Sequence, residues 1–500
     1  MNFDHTINHH GKKMKFRILA GMVLVATAGM TAEASPRDAL ECASSSSVKF
    51  SDALTCYHDA IERQPLVYNH VSNELVNGVE RRNYLLTSQE WSPEGVVQPA
   101  LWKHDVAIYI PKDALRKRAL LISTNGTRHA SEGSSPEAAS ELTPEALAMI
   151  ATRTRTVVIA LSDIPNQYLT YSDDGKPRRE DDSVAHTWAR FLQSPEQRKT
   201  MPLHVPMSAA IARAMSLAER ELGDLQIHRF VLAGASKRGW ASWHALIADR
   251  RVDAVVPIVI DFLNMGVLFD HIRHVYGGNW PVAFYSYVEE GITKQLDSSG
   301  FANLLQLQDP FQYLNSPYRD RLARPKYIIN ASGDDFFVPD GSQFYYDNLP
   351  GSKALRIVPN TSHYGIRPSI EDSLVTFINR MQKQQAVPVV TGRLNEGKTP
   401  MIDFSSSERP ETLRLWSSSN PDSRDFRYAC GVRFKPTELP TSSTRLRVPV
   451  STPDAGWAAY FVEATFKDGF VATSQAYILG KQKYSIKPPA DNGAACRTLP

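Results

Sequence analysis

In this chain of 500 residues a serine sits where an apolar run turns into a helical one: Phe230-Val231-Leu232-Ala233 leads directly into Gly234-Ala235-Ser236-Lys237-Arg238-Gly239. A strand that bends abruptly into a helix strains the corner residue, and Gly234 must be small to let the chain pass. The strain would hold the Ser236 hydroxyl proud of the sheet, and the helix start beneath it would offer N–H groups to an oxyanion. Acyl transfer through a serine nucleophile is the chemistry such a corner serves. One departure is visible. The usual pattern has glycine two places after the serine, whereas here Arg238 takes that place and Gly239 comes third.

A serine nucleophile needs a base, and the base needs a carboxylate to orient it. Two later strand ends supply both. Tyr327 to Asn330 runs into Ala331-Ser332-Gly333-Asp334-Asp335-Phe336-Phe337-Val338-Pro339, and Leu355 to Val358 runs into Pro359-Asn360-Thr361-Ser362-His363. Of the adjacent carboxylates, Asp335 has the usual register, with two intervening residues before an apolar residue and Pro339. Neighbouring side chains in an extended segment face opposite ways, so only one can meet His363. Asp335 is therefore the expected triad acid, with Asp334 facing solvent or capping the next turn. A second oxyanion donor is expected from Ser123-Thr124-Asn125-Gly126-Thr127-Arg128, so the backbone N–H groups of Lys237 and of Asn125 or Gly126 are the candidates.

Positioning these groups requires a sheet. From about residue 83 to 385, short β-rich runs alternate with helical stretches. Strands are predicted at Val106 to Ile110, Ala119 to Ser123, Thr156 to Ala160, Phe230 to Ala233, Ala254 to Ile260, Tyr327 to Asn330 and Leu355 to Val358, and helices at Pro144 to Ala151, Asp182 to Gln193, Met207 to Leu222, Trp240 to Asp249 and Ser369 to Gln385. Strand, helix, strand in succession means a doubly wound, mostly parallel α/β sheet, and Ser, Asp, His in that chain order is the α/β-hydrolase order. Residues 261–322 form a cap-like insertion rich in aromatics, among them Phe262, Phe269, Trp280, Phe284 and Tyr287. Lys237, Arg238 and Trp280 are the residues expected to meet substrate. Glu180-Asp181-Asp182 is expected to cap the helix that follows. Beyond residue 388 about seven short alternating runs, including Phe426 to Phe434, predict an all-β sandwich at 388–500, with the hydrolase domain at 35–387.

Composition narrows the function classes. A formal net charge of +3 without long basic runs argues against nucleic acid as a partner. His271 and His274 have no third ligand nearby, so no metal is expected and no cofactor is implied. Residues 1–34 have the layout of a secretory signal: Lys12, Lys13, Lys15 and Arg17, the apolar stretch Ile18 to Met30, then Ala32-Glu33-Ala34. That stretch is too short to span a bilayer, so no stable membrane span should remain after cleavage, and the protein is expected in the periplasm or secreted. The four cysteines can pair in three ways; proximity favours Cys42 with Cys56 and Cys430 with Cys496.

With these residues assembled, the sequence resembles the PhoPQ-activated pathogenicity-related protein family. The resemblance rests on Leu86-Thr87-Ser88-Gln89-Glu90-Trp91, Ile164-Pro165-Asn166-Gln167, Glu180-Asp181-Asp182, the Ser236 corner through Trp240, Asp335 to Asp340, Val358-Pro359-Asn360 with His363, and Asn420-Pro421 with Arg424-Asp425-Phe426-Arg427. It implies an exported hydrolase core with a β-sandwich tail, in a family named for virulence regulation. The corner is also similar to the Gly-Cys-Ser-Arg-x-Gly elbow of glucuronoyl esterases, which implies that the Lys237 side chain helps to hold an oxyanion or a substrate carboxylate. A serine hydrolase of small-molecule, carbohydrate-linked or peptide-linked acyl substrates is the leading expectation. A catalytically silent binding protein on a hydrolase scaffold and a serine peptidase are the alternatives. The signal layout makes a direct prediction: N-terminal mass spectrometry of the exported protein should read from at or near Ser35, and an intact Met1 or Met14 terminus would refute it.

Overall fold

The computed structural model describes residues 38–128 and 135–500. The proposed signal segment lies outside the described residues. Nine strands form the main sheet: β1 (Val67–Val76), β2 (Val79–Glu90), β3 (Leu101–Ile110), β4 (Arg118–Ser123), β5 (Val157–Leu161), β6 (Arg229–Ala235), β7 (Val252–Ile258), β8 (Lys326–Ala331) and β9 (Lys353–Val358). Their order is β1-β2-β3-β5-β4-β6-β7-β8-β9. The six strands β4 to β9 run parallel, and β1 to β3 add an antiparallel ribbon at one edge.

Continuous apolar strands follow from burial on both faces. In β6, Phe230 and Leu232 join one core while Val231 and Ala233 join the other. Helices α4 (His204–Glu221) and α5 (Lys237–Ala248) cover the first face, and α2 (Pro144–Thr154) and α8 (Arg367–Gln382) cover the second. Two further helices matter to the site and its cover: α1 (Phe50–Glu62) packs beside α4, and α3 (Glu180–Gln193) begins next to the Ser236 corner. Local signals set the ends. Thr143 accepts a hydrogen bond from Ala146 N, Pro144 opens α2, and Arg155 closes it in the left-handed region at φ 53°.

The insertion between β7 and β8 contains α6 (Met265–Val275) and α7 (Ser299–Gln308). Its aromatics pack among themselves: Phe269 meets Trp280, Phe284 and Phe301 edge-on or nearly so.

After α8 the chain forms two antiparallel sheets. One joins β10 (Val390–Asn395), β11 (Met401–Ser406) and β14 (Arg445–Pro449). The other joins β12 (Thr412–Asn420), β13 (Lys435–Glu438), β15 (Trp457–Thr465), β16 (Val471–Thr473) and β17 (Tyr477–Gly480). Inward residues of both sheets, such as Phe404, Leu413 and Val462, share one core. Residues 426–434 are not the strand that the alternation predicted. A 3-10 turn at Tyr428–Cys430, left-handed Gly431 and the Cys430–Cys496 disulfide make this segment irregular. The described residues form one compact unit. Tyr327 of β8 shows why: it stacks between Phe377 and Phe470, and its hydroxyl donates to the Val471 carbonyl at 2.5 Å.

Both disulfides have the expected pairing, Cys42–Cys56 and Cys430–Cys496. No helix among the described residues is long and apolar enough to cross a membrane. The second bond closes a loop of 66 residues, and loss of such a bond typically costs about 2–5 kcal/mol. Replacing Cys430 and Cys496 by Ala should lower the urea midpoint accordingly, and thiol titration of unreduced native protein should find no free thiol.

Candidate active site

Ser236 occupies the corner between β6 and α5 with φ 56° and ψ −129°, a conformation that costs a non-glycine residue of order 1–3 kcal/mol. The glycines around it are obligatory. A Cβ on Gly234 would lie 2.7 Å from the Arg238 carbonyl carbon, and one on Gly239 would lie 2.6 Å from the Gly234 carbonyl oxygen. The crossing therefore needs glycine three places after the serine, which accounts for the departure from the usual pattern.

His363 stands in the loop after β9, 4% exposed. Its Nδ1 lies 3.0 and 2.9 Å from the two carboxylate oxygens of Asp334. This corrects the expected register. Asp335 does not face the ring; its Oδ2 accepts the His363 backbone N–H at 3.2 Å. The cause is a tight turn, because Asp334 Oδ1 also accepts from Phe336 N and Phe337 N, which pulls the Asp334 side chain inward and sends its neighbour toward the cleft. Burial, and then the nearby Asp334, raise the Asp335 carboxyl above its ordinary value.

Ser236 and His363 border one cavity of about 210 Å³, with Asn125, Lys237, Glu180 and Tyr364 among its walls. A second recess of about 380 Å³ shares Arg179, Glu180, Asp181 and Tyr364 with it and is lined further by Asp182, Ser286, Asp335 and Phe336. A larger groove of about 1020 Å³ on the C-terminal sheets contains none of Ser236, Asp334 or His363. Of the two candidate oxyanion loop residues, Asn125 borders the Ser236 cavity; Gly126 borders a neighbouring cavity instead. The Asn125 side chain is used structurally, accepting from Ser140 N and donating to Ser140 Oγ.

The residues expected to meet substrate are placed differently. The Lys237 ammonium is 2.8 Å from Glu180 and 3.0 Å from Asp181. Arg238 is bound to Glu141 at 3.2 Å and Glu180 at 2.5 Å. Both cations are thus paired with carboxylates of Glu141 or the first turn of α3. Trp280 is 3% exposed in the core of the insertion and borders neither cavity. The acidic triplet also does more than cap a helix. Arg179 is the N-cap of α3 and makes no side-chain cap, Glu180 to Asp182 fill the first turn, and Glu180 further accepts from Gln167 Nε2 at 3.0 Å. His271 pairs with Asp340 at 3.2 Å and with Tyr484, and His274 with Asp270, so neither holds a ligand set.

Burial works against every charge in this network. It would push Glu180 up, but the Arg238 and Lys237 charges override it and hold the carboxyl well below its ordinary value. It would push Lys237 down, but Asp181 and Glu180 override it and hold the ammonium up. Removing one member of a buried network leaves its partners uncompensated, at about 3–5 kcal/mol. Glu180→Gln should therefore destabilise the fold by about 3 kcal/mol at pH 7. Because the folded carboxyl is depressed, its contribution is present above the ordinary value of 4.5 and is lost as pH falls below it. Urea unfolding of both proteins from pH 7 to pH 3 should show the deficit shrinking, and a deficit constant with pH would contradict the ion-pair account.

Comparison with known proteins follows the same lines. The family model for PhoPQ-activated pathogenicity-related protein matches residues 54–427. Autocrine proliferation repressor protein A of Dictyostelium discoideum is 33% identical over 406 residues, covering 76% of this chain and 79% of that protein. Among solved structures, acetyl xylan esterases from a Thermoanaerobacterium and a Paenibacillus species align at 14% and 13% identity with TM-scores of 0.41 and 0.42, covering 65% and 66% of this chain and 92% and 91% of theirs. A glucuronoyl esterase from Solibacter usitatus aligns at 15% identity and a TM-score of 0.37 over 62% of this chain and 86% of its own. With a match across most of its length, on the strand order and the strained serine corner described above, the chain belongs to the PhoPQ-activated pathogenicity-related protein family.

Proposed function

We propose that this protein is an exported serine hydrolase that transfers an ester or amide acyl group to water, with Ser236, His363 and Asp334 as its triad. The observation that carries the reading is that the strained Ser236 corner and His363 border one cavity, with the His363 ring held by buried Asp334. Ser236 Oγ attacks the carbonyl carbon while His363 takes its proton, and Asp334 holds the ring tautomer and stabilises the imidazolium. Collapse of the tetrahedral intermediate breaks the bond to the leaving alcohol or amine, which departs with the proton from His363. Water then repeats the sequence on the acyl enzyme and restores Ser236. The oxyanion is held by backbone N–H groups of Lys237 and the Asn125 loop rather than by the Lys237 ammonium, which Glu180 and Asp181 occupy. A periplasmic or secreted location agrees with two disulfides, which persist in oxidising compartments.

Two measurements test the reading. A fluorophosphonate should label the wild type at Ser236 and leave Ser236→Ala unlabelled, and labelling that survives in the variant would place the nucleophile elsewhere. On the best ester or amide from a substrate panel, Asp334→Asn should lower turnover by roughly 10⁴ through the wrong His363 tautomer, and by far more than Asp335→Asn. The reverse order would return the acid to Asp335.

A further inference from the structure

The Asp334–His363 contact joins two loops, and both are held from outside by one segment of the C-terminal sheets. Asn360, three places before His363, donates from Nδ2 to the Phe434 carbonyl at 2.9 Å and accepts the Phe434 N–H on Oδ1 at 2.7 Å. One side chain thus satisfies both backbone groups of one residue. Phe434 is itself fixed, 4% exposed with its ring against Phe461 at 5.4 Å. On the acid side, Gly333 accepts from Tyr428 N at 3.0 Å, and a Cβ on Gly333 would lie 2.5 Å from that nitrogen, so the two backbones touch directly. Asp340, at the far end of the acid loop, is paired with buried Arg424 at 2.6 Å. The two loops also meet through bonds such as Gly333 N to Thr361 O and Asn360 N to Ser332 Oγ.

Resting on the triad reading, we infer that residues 424–434 set the geometry of the acid–base pair and that Asn360 is a positioning residue for His363. The segment touches the acid loop at Gly333 and Asp340 and the base loop at Asn360, so the Asp334–His363 bond lies within a frame that the hydrolase sheet alone does not close. Asn360 suits the position on two counts. It adopts φ 57°, which Asn tolerates well, and its amide supplies the donor and the acceptor that Phe434 requires.

The test uses full-length protein and two variants. Asn360→Gly keeps the left-handed backbone without strain and removes the clamp, whereas Asn360→Asp keeps the acceptor for Phe434 N–H and loses the donor. Each is assayed for the rate of Ser236 labelling by a fluorophosphonate from pH 5 to pH 9, for its melting temperature, and for the far-downfield NMR resonance of the His363 Nδ1 proton. Loosening the ring from Asp334 should lower the plateau labelling rate of Asn360→Gly by up to about 10²-fold. It should also weaken the downfield resonance. Asn360→Asp should fall between the two, and it decides the matter by the same readouts if the Gly variant does not fold. A plateau rate and resonance equal to wild type, with only the melting temperature lowered, would overturn the proposal. Absence of labelling in the wild type would instead overturn the hydrolase reading, and the Nδ1 resonance would still report whether Asn360 holds the ring.

Discussion

The crossing of β6 over the first turn of α5 is the constraint from which the site follows. Gly234 and Gly239 come so close that neither place has room for a methyl group. That contact turns the chain through the Ser236 corner and fixes the start of the helix, and with it the direction of the first free N–H groups. The strain at Ser236 persists because strand and helix are each buried in the cores on their own account, so a relaxed corner would expose far more apolar surface than it would save. A shift of glycine by one place relative to the common pattern is therefore a matter of where the backbones touch. Position 238 is freed to carry a large side chain, and it carries an arginine.

That freedom creates an electrostatic problem. Lys237 and Arg238 open α5, where the helix dipole already places partial positive charge, and both are buried. The acidic first turn of α3 answers it. Glu180 and Asp181 gain from their own helix terminus while neutralising the cations of the other, and Glu141 completes the set. Lys237 and Arg238, on the wall of the Ser236 cavity, are thus paired with carboxylates.

Much of this architecture was legible in the sequence, and the failures have physical causes. The parallel strands announced themselves as continuous apolar runs, and β6 was found to within two residues at either end. The β1–β2 hairpin escaped notice although Asn77-Gly78 is a strong turn signal, because most of its residues are polar and β1 lies largely exposed at the sheet edge. Ser236 and His363 stand just past strand ends, where the sequence placed them. Pattern register says nothing about which side chain a turn pulls inward; the bonds from Phe336 N and Phe337 N turn the Asp334 carboxylate, and not that of Asp335, toward the His363 ring. Trp280 packs inside the insertion, as aromatics serve burial first. Asn360 gave no sequence signal beyond its place in a shared string, since its partner Phe434 is 74 residues away.

Residues 426–434 were read as a strand because their hydrophobic residues alternate, and the reason for their irregularity is instructive. Phe426 and Phe434 are both buried in the larger core, but the chain between them must also deliver Tyr428 N to Gly333 and hold Arg427 against Asp425 and the Cys496 carbonyl. A regular strand presents its N–H groups at fixed intervals to one neighbour and could not meet three partners in different directions. The disulfide to Cys496 fixes the bend where repeated backbone pairing is absent. β15 carries the same demand at larger scale: its even-numbered residues from Ala458 to Ala464 pack into the core shared with the smaller sheet, while Trp457, Ala459 and Phe461 pack into the core that holds the insertion and the Ser236 helix. A strand buried on both faces ties the C-terminal sheets to both cores at once.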